Sequence, residues 1–105
     1  MHEMKLVQEV ISELGRIGNP ARVRIRLGAM KAEPEQLRSM FKEYVMGSPL
    51  EGTELDIEEV PVEGFCTCGF EGPVEVHGHV HFVRCPECGS VLDIRSGNEL
   101  EVEPV

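Results

Sequence analysis

Two glycine-followed cysteine pairs, Cys66-Thr67-Cys68-Gly69 and Cys85-Pro86-Glu87-Cys88-Gly89, constrain this chain more than any other feature. Zinc takes four soft donors in a tetrahedron, and two short-spaced pairs supply them. The second pair has the spacing of a standard knuckle. Its glycine can take a positive φ, which lets backbone N–H groups turn toward the sulfurs. The first pair is one residue shorter and demands a tighter turn. With Cys66, Cys68, Cys85 and Cys88 all bound, no coordination position stays open, so the metal's role is structural. A redox pair would open a helix after a strand, and that context is missing here.

Size explains why a metal is useful. A chain of 105 residues makes one compact unit, or a core with a small appendage that cannot bury enough surface alone. Its 19 acidic and 10 basic residues give a formal charge of −9. That balance argues against nucleic-acid backbones, whose binding needs phosphate neutralisation. It suits divalent cations or a basic protein surface. No segment has the apolar length of a membrane span. The start lacks the basic and apolar regions of a signal peptide. A cytoplasmic protein without membrane contact is therefore expected, and there clustered cysteines are metal ligands more often than disulfides.

Residues 4–17 carry Leu6, Val7, Val10, Ile11 and Leu14 at helical spacing. Gly15, Gly18, Asn19 and Pro20 end that pattern. Residues 22–28 alternate strictly, with Arg22, Arg24 and Arg26 opposite Val23, Ile25 and Leu27, which predicts a half-buried strand. A second helix is expected from Pro34, with Leu37, Met40, Phe41, Tyr44 and Val45 as its apolar stripe and Gly47 and Pro49 as its stop. A second strand is expected over 53–62, with a bulge at Glu58-Glu59 where the alternation changes phase. Beyond the cysteines, Val91 to Ile94 and Glu99 to Val105 flank a turn at Arg95-Ser96-Gly97-Asn98. They read as a hairpin or as two strands in different sheets. The expected class is α+β: a small β-sheet backed by two helices, with an inserted four-cysteine, zinc-ribbon-like domain. The division expected is 1–64 with 91–105 as the core and 65–90 as the zinc-binding domain.

Two groups of nitrogen donors stand apart from the cysteines. His77, His79 and His81 alternate with Val76, Gly78, Val80 and Phe82, so on a strand they would share one face. They form either a solvated face between the knuckles, a replacement for Cys66 at zinc, or a contribution to a second metal site. At the other end stand Met1, His2 and Glu3. The α-amine, the His2 amide nitrogen and His2 Nδ1 can close a five-membered and a six-membered chelate ring. Nickel(II) favours such planar nitrogen sets. The fourth position falls to the Glu3 amide, water or another histidine. The dipeptide alone is weak evidence, since a histidine at position 2 is usually just exposed.

Over nearly all its length the chain resembles the HypA family, accessory proteins that insert nickel during [NiFe]-hydrogenase maturation. The resemblance rests on Met1-His2-Glu3-Met4, the run Val23 to Met30, and Pro34-Glu35-Gln36-Leu37 ahead of Phe41. It continues through Glu51 to Pro61, Cys85-Pro86-Glu87-Cys88-Gly89-Ser90 and Ser96-Gly97-Asn98-Glu99-Leu100. It implies a non-enzymatic nickel metallochaperone: His2 with adjacent backbone nitrogens holds transient Ni(II), and the four cysteines hold structural Zn(II). The partners it implies are a HypB-type nickel-maturation GTPase or ATPase and the hydrogenase large-subunit precursor, with urease served by some relatives. A homodimer is left open. Some archaeal relatives add a histidine from between the cysteine pairs, which points to His77, His79 and His81. One departure is Thr67, which stands alone where the family usually has two residues. The rival reading is a zinc-ribbon module for protein interaction or nucleic-acid binding, without nickel. It would need a basic stripe and exposed aromatics near the zinc. A zinc hydrolase would need an open coordination position, which four cysteines deny.

Overall fold

The alternation of Val23, Ile25 and Leu27 against three arginines makes β1 (Arg22–Gly28) the centre of the first sheet. The three apolar side chains are fully buried. The arginines stay on the outer face, where Arg22 meets Asp56 at 3.8 Å and Arg26 meets Glu101 at 2.6 Å. The computed structural model describes the chain except for Met1, His77 and the side chains of His2 and Glu3. Helix α1 (His2–Ile17) precedes β1, and α2 (Pro34–Tyr44) follows it. Strand β2 (Glu54–Val60) pairs parallel to β1 in continuous register, from Arg22 opposite Glu54 to Gly28 opposite Val60. A parallel partner needs a crossover, and α2 supplies it. Strand β6 (Leu100–Pro104) returns antiparallel along the other edge of β1.

Both helices cover the inner face of this sheet. Leu6, Val7, Val10 and Leu14 of α1 meet Leu37 and Phe41 of α2 over Val23, Ile25, Leu27 and Leu55. Each fully buried aliphatic chain contributes about 1.5–3 kcal/mol, so this cluster is the larger source of apolar stabilisation in the molecule. Pro34 opens α2, where its missing N–H costs nothing.

The second sheet has the order β4-β3-β5, built from β3 (Val62–Phe65), β4 (Glu71–Val74) and β5 (Asp93–Ser96), all antiparallel. Under it lies a smaller cluster of Ala29, Met30, Val62, Val83, Cys85 and Leu92. The chain is thus α+β, a helix-backed sheet with a cysteine-bearing unit inserted between β2 and β6. Most of β3 and all of β5 lie outside the 65–90 span expected for that unit. The β3–β4 ladder flanks the first knuckle, the Arg84–Val91 bridge flanks the second, and β5 pairs with β3 to join them.

Four expectations need correction. No bulge interrupts β2 at Glu58-Glu59, because the parallel register runs through. The change of phase there marks the passage from one sheet to the next, and the register shift falls instead between Glu63 and Gly64. Tyr44 is not part of the buried stripe: it is 50% exposed at the end of α2. Arg95 and Ser96 belong to β5 rather than to a turn, so the two final strands sit in different sheets. The described histidines, His79 and His81, lie outside any strand.

Candidate metal centre

The four cysteine sulfurs converge. All four Sγ atoms lie within 4.8 Å of one another. Cys66 and Cys88 approach to 3.5 Å, Cys68 and Cys85 to 3.6 Å. Zinc–sulfur bonds of about 2.3 Å in a tetrahedron put sulfurs about 3.8 Å apart, so the donor set fits zinc. Four thiolates would complete the shell, and a metal held there would supply a crosslink rather than a reaction site.

Local backbone chemistry builds each half. In the short pair, the Gly69 N–H donates to the Cys66 carbonyl at 3.0 Å, closing a four-residue turn with Gly69 at φ +107°. In the longer pair, the Gly89 N–H reaches the Cys85 carbonyl at 2.9 Å, with Gly89 at φ +79°. The missing residue beside Thr67 is thus absorbed by a tighter turn, and the sulfurs still meet. Each turn is then stapled across its base, by Cys66 N–H to Phe70 O at 2.9 Å and Cys85 N–H to Ser90 O at 2.7 Å. The Glu87 N–H points at Cys85 Sγ from 3.4 Å.

The thiols are not equivalent. Hydrogen bonds from the Ser90 side chain, then from its backbone, hold the Cys88 thiol down at about 6. Cys68 is drawn down by the Phe70 backbone, but desolvation and hydrogen bonds with the other three thiols outweigh this and push it up to about 12. The lowered value favours the Cys88 thiolate, the form that ligates metal. Sequence reasoning missed Ser90. The signal was its place directly after the Cys88-Gly89 knuckle, where both its hydroxyl and its N–H face the sulfur.

The expected nitrogen donors fall partly outside the described residues: Met1, His77 and the side chains of His2 and Glu3. The backbone of His2 opens α1. His79 and His81 stack edge to face with ring centroids 4.7 Å apart. The His79 Nδ1–H donates to the Lys31 carbonyl at 3.2 Å, and the Val80 N–H donates to the Met30 carbonyl at 3.0 Å. The histidine segment thus docks on the turn that follows β1. Only four residues separate α1 from β1, so the two run antiparallel over the shared core. Their 16 and 7 residues span similar lengths, about 24 and 23 Å. An antiparallel course would bring the 29–31 turn and its histidines to the end of the core where α1 begins.

This arrangement defines a metal-binding α+β protein with a closed tetrathiolate centre. Among the described residues, no helix is long and apolar enough to cross a membrane. The family model described as hydrogenase/urease nickel incorporation, metallochaperone, HypA matches residues 1–105. The chain is 31% identical to the hydrogenase maturation factor HypA of Methanothermobacter thermautotrophicus, covering 100% of this chain and 95% of that protein. It is 35% identical to the factor of the same name from Methylocella silvestris, covering 97% and 95%. The solution structure of the Ni metallochaperone HypA from Helicobacter pylori superposes with a TM-score of 0.56 at 22% identity, covering 100% of this chain and 98% of that one. The chain belongs to the HypA family of nickel-incorporation metallochaperones. Family membership favours this reading over a zinc-ribbon module without nickel.

Proposed function

We propose that this chain carries Ni(II) at its N-terminal residues and uses zinc only to hold its second unit. The observation that carries the reading is the family match over residues 1–105, beside a cysteine centre already closed to other chemistry. Nickel would be bound by the Met1 α-amine, the His2 amide nitrogen and His2 Nδ1. The Glu3 amide, water or one of His77, His79 and His81 would take the fourth position. Two features support it. Helix α1 starts at His2, and the first N–H groups of a helix have no carbonyl partner. Nickel can therefore displace the His2 amide proton without breaking a helical hydrogen bond. Of the described histidines, His79 docks on the turn that follows β1. Its Nδ1–H on a backbone carbonyl fixes Nε2 as the basic nitrogen, a pattern common among metal-binding histidines.

The chain would act without catalysis, in two units, residues 2–60 with 99–104 and residues 62–96. In the cytoplasm it would take nickel to the hydrogenase large-subunit precursor, working with a HypB-type GTPase or ATPase. Zn(II) on Cys66, Cys68, Cys85 and Cys88 would stay in place throughout. Three nitrogens that compete with protons make the nickel releasable, which a carrier requires. The test is a calorimetric nickel titration of untagged protein beside His2→Ala. One nickel per chain should bind to the first and none to the second, with zinc unchanged. Equal binding by both would refute the assignment.

A further inference from the structure

Three chain passages cross where the two sheets meet, and they do so at backbone contact. The Gly28 N–H donates to Glu99 O at 2.8 Å, the Ala29 N–H to Val60 O at 2.9 Å and the Met30 N–H to Gly97 O at 2.9 Å. Ser96 Oγ donates to Pro61 O at 3.0 Å, and the Gly97 N–H donates to the Glu99 carboxylate. There is no room for side chains. A Cβ on Gly28 would stand 2.3 Å from Gly97 O, and one on Gly97 would stand 2.6 Å from Val62 Cα. Gly97 also holds φ +109°, a conformation that suits glycine. The obstacles are backbone atoms, which cannot rotate aside.

Met30 locks the crossing from one side. It belongs to the turn that leaves β1, yet its side chain is 2% exposed within the second cluster, with Val62, Val83 and Leu92. Its backbone binds both ways, N–H to Gly97 O and carbonyl from the Val80 N–H. The same three-residue turn thus grips β5–β6, the second apolar cluster and the histidine segment.

We propose that Gly28, Gly97 and Met30 are positioning residues: they clasp the zinc unit to the core at one fixed angle and present the His79–His81 segment where α1 begins. Ordinary linkers between units leave them free to reorient. Here the paired backbones allow one arrangement, and zinc-unit position becomes rigidly tied to the helix start. The bearing of this clasp on nickel rests on the function proposed above, whereas the clasp itself does not.

The test compares Gly97→Ala with Gly52→Ala in the zinc-loaded full chain. Gly52 has a similar positive φ, +98°, but a Cβ there meets nothing within 4 Å. It therefore reproduces the backbone strain without the collision. Amide residual dipolar couplings from both units should fit one alignment tensor in wild type and in Gly52→Ala. In Gly97→Ala they should require two, with zinc still stoichiometric. Nickel affinity should then fall about tenfold, as it does when groups that orient a ligand are lost. If Gly97→Ala does not fold, Met30→Ala decides, since it loosens the anchor without backbone strain and should also split the tensor. One tensor for the folded variants, two for wild type, or equal loosening in Gly52→Ala would overturn the clasp. Failure of wild type to bind nickel would refute the proposed function but leave the tensor result to judge the clasp.

Discussion

The two three-stranded sheets of this molecule are stabilised by different means. The first is covered by two helices, and the main cluster of thirteen buried residues lies between them. Among the described residues, no helix covers the second. Its cluster has six buried residues, two of which, Ala29 and Met30, are lent by the turn after β1. Phe70 packs partly buried against it, whereas Phe65 and Phe82 are 41% and 51% exposed, each under an arginine. That cluster has fewer than half as many buried residues as the first. A structural zinc site supplies about 10–16 kcal/mol in small peptides, and zinc on the four cysteines would add to this smaller cluster. Apolar burial and metal ligation are alternative routes to one result, and with a metal on its cysteines a chain this short would use both.

Removing the metal should break the comparison most visibly. Cys85→Ser should release zinc and unfold residues 62–96, because the binding free energy of the metal is that unit's folding free energy. The core should remain folded. Amide chemical shifts would read both halves at once, and a variant that keeps stoichiometric zinc and a folded second sheet would contradict the account. Ile25→Ala tests the other half. It opens a cavity beneath a fully buried side chain and should cost about 2–5 kcal/mol, measured by urea unfolding of the core. Zinc content should be unchanged under native conditions.

The smallest effect expected concerns acid. The Cys88 thiol lies below its ordinary value of 9.0, at about 6, chiefly through Ser90. A lowered value favours the thiolate in the folded state. Its contribution is complete above pH 9 and is lost as the pH falls through about 6. Ser90→Ala removes the hydroxyl, so zinc should leave at a higher pH, shifted by about one unit or less. A chromogenic zinc indicator during acid titration would measure the midpoint. A downward shift would reverse the assigned role of Ser90.

How far the sequence could be read follows the same division. β1 was legible to the residue because one face is buried and the other is solvated, so its alternation is complete. The start of α2 was legible from Pro34, and the metal centre from cysteine spacing alone. Tyr44 was misplaced because helical periodicity continues to the last residue of α2, where the side chain is half exposed. The bulge at Glu58-Glu59 was a misreading of a local phase change that arises from β2 leaving one sheet and β3 entering another. Local pattern carries no record of which sheet a strand joins. The histidine alternation suggested a strand, but its backbone is committed elsewhere, with the Val80 N–H on Met30. Gly28 and Gly97 looked like ordinary glycines. Their roles come from a contact between two distant parts of the chain, which no window of sequence contains.

The central claim is that nickel and zinc occupy separate sites with separate chemistry, and adding one residue before Met1 tests it most directly. The added residue turns the α-amine into an amide and moves His2 off its chelate ring, while the cysteine centre is untouched. Nickel titration and zinc analysis on the same sample should show nickel affinity lost and one zinc per chain retained. Unchanged nickel affinity in the extended protein would contradict the account.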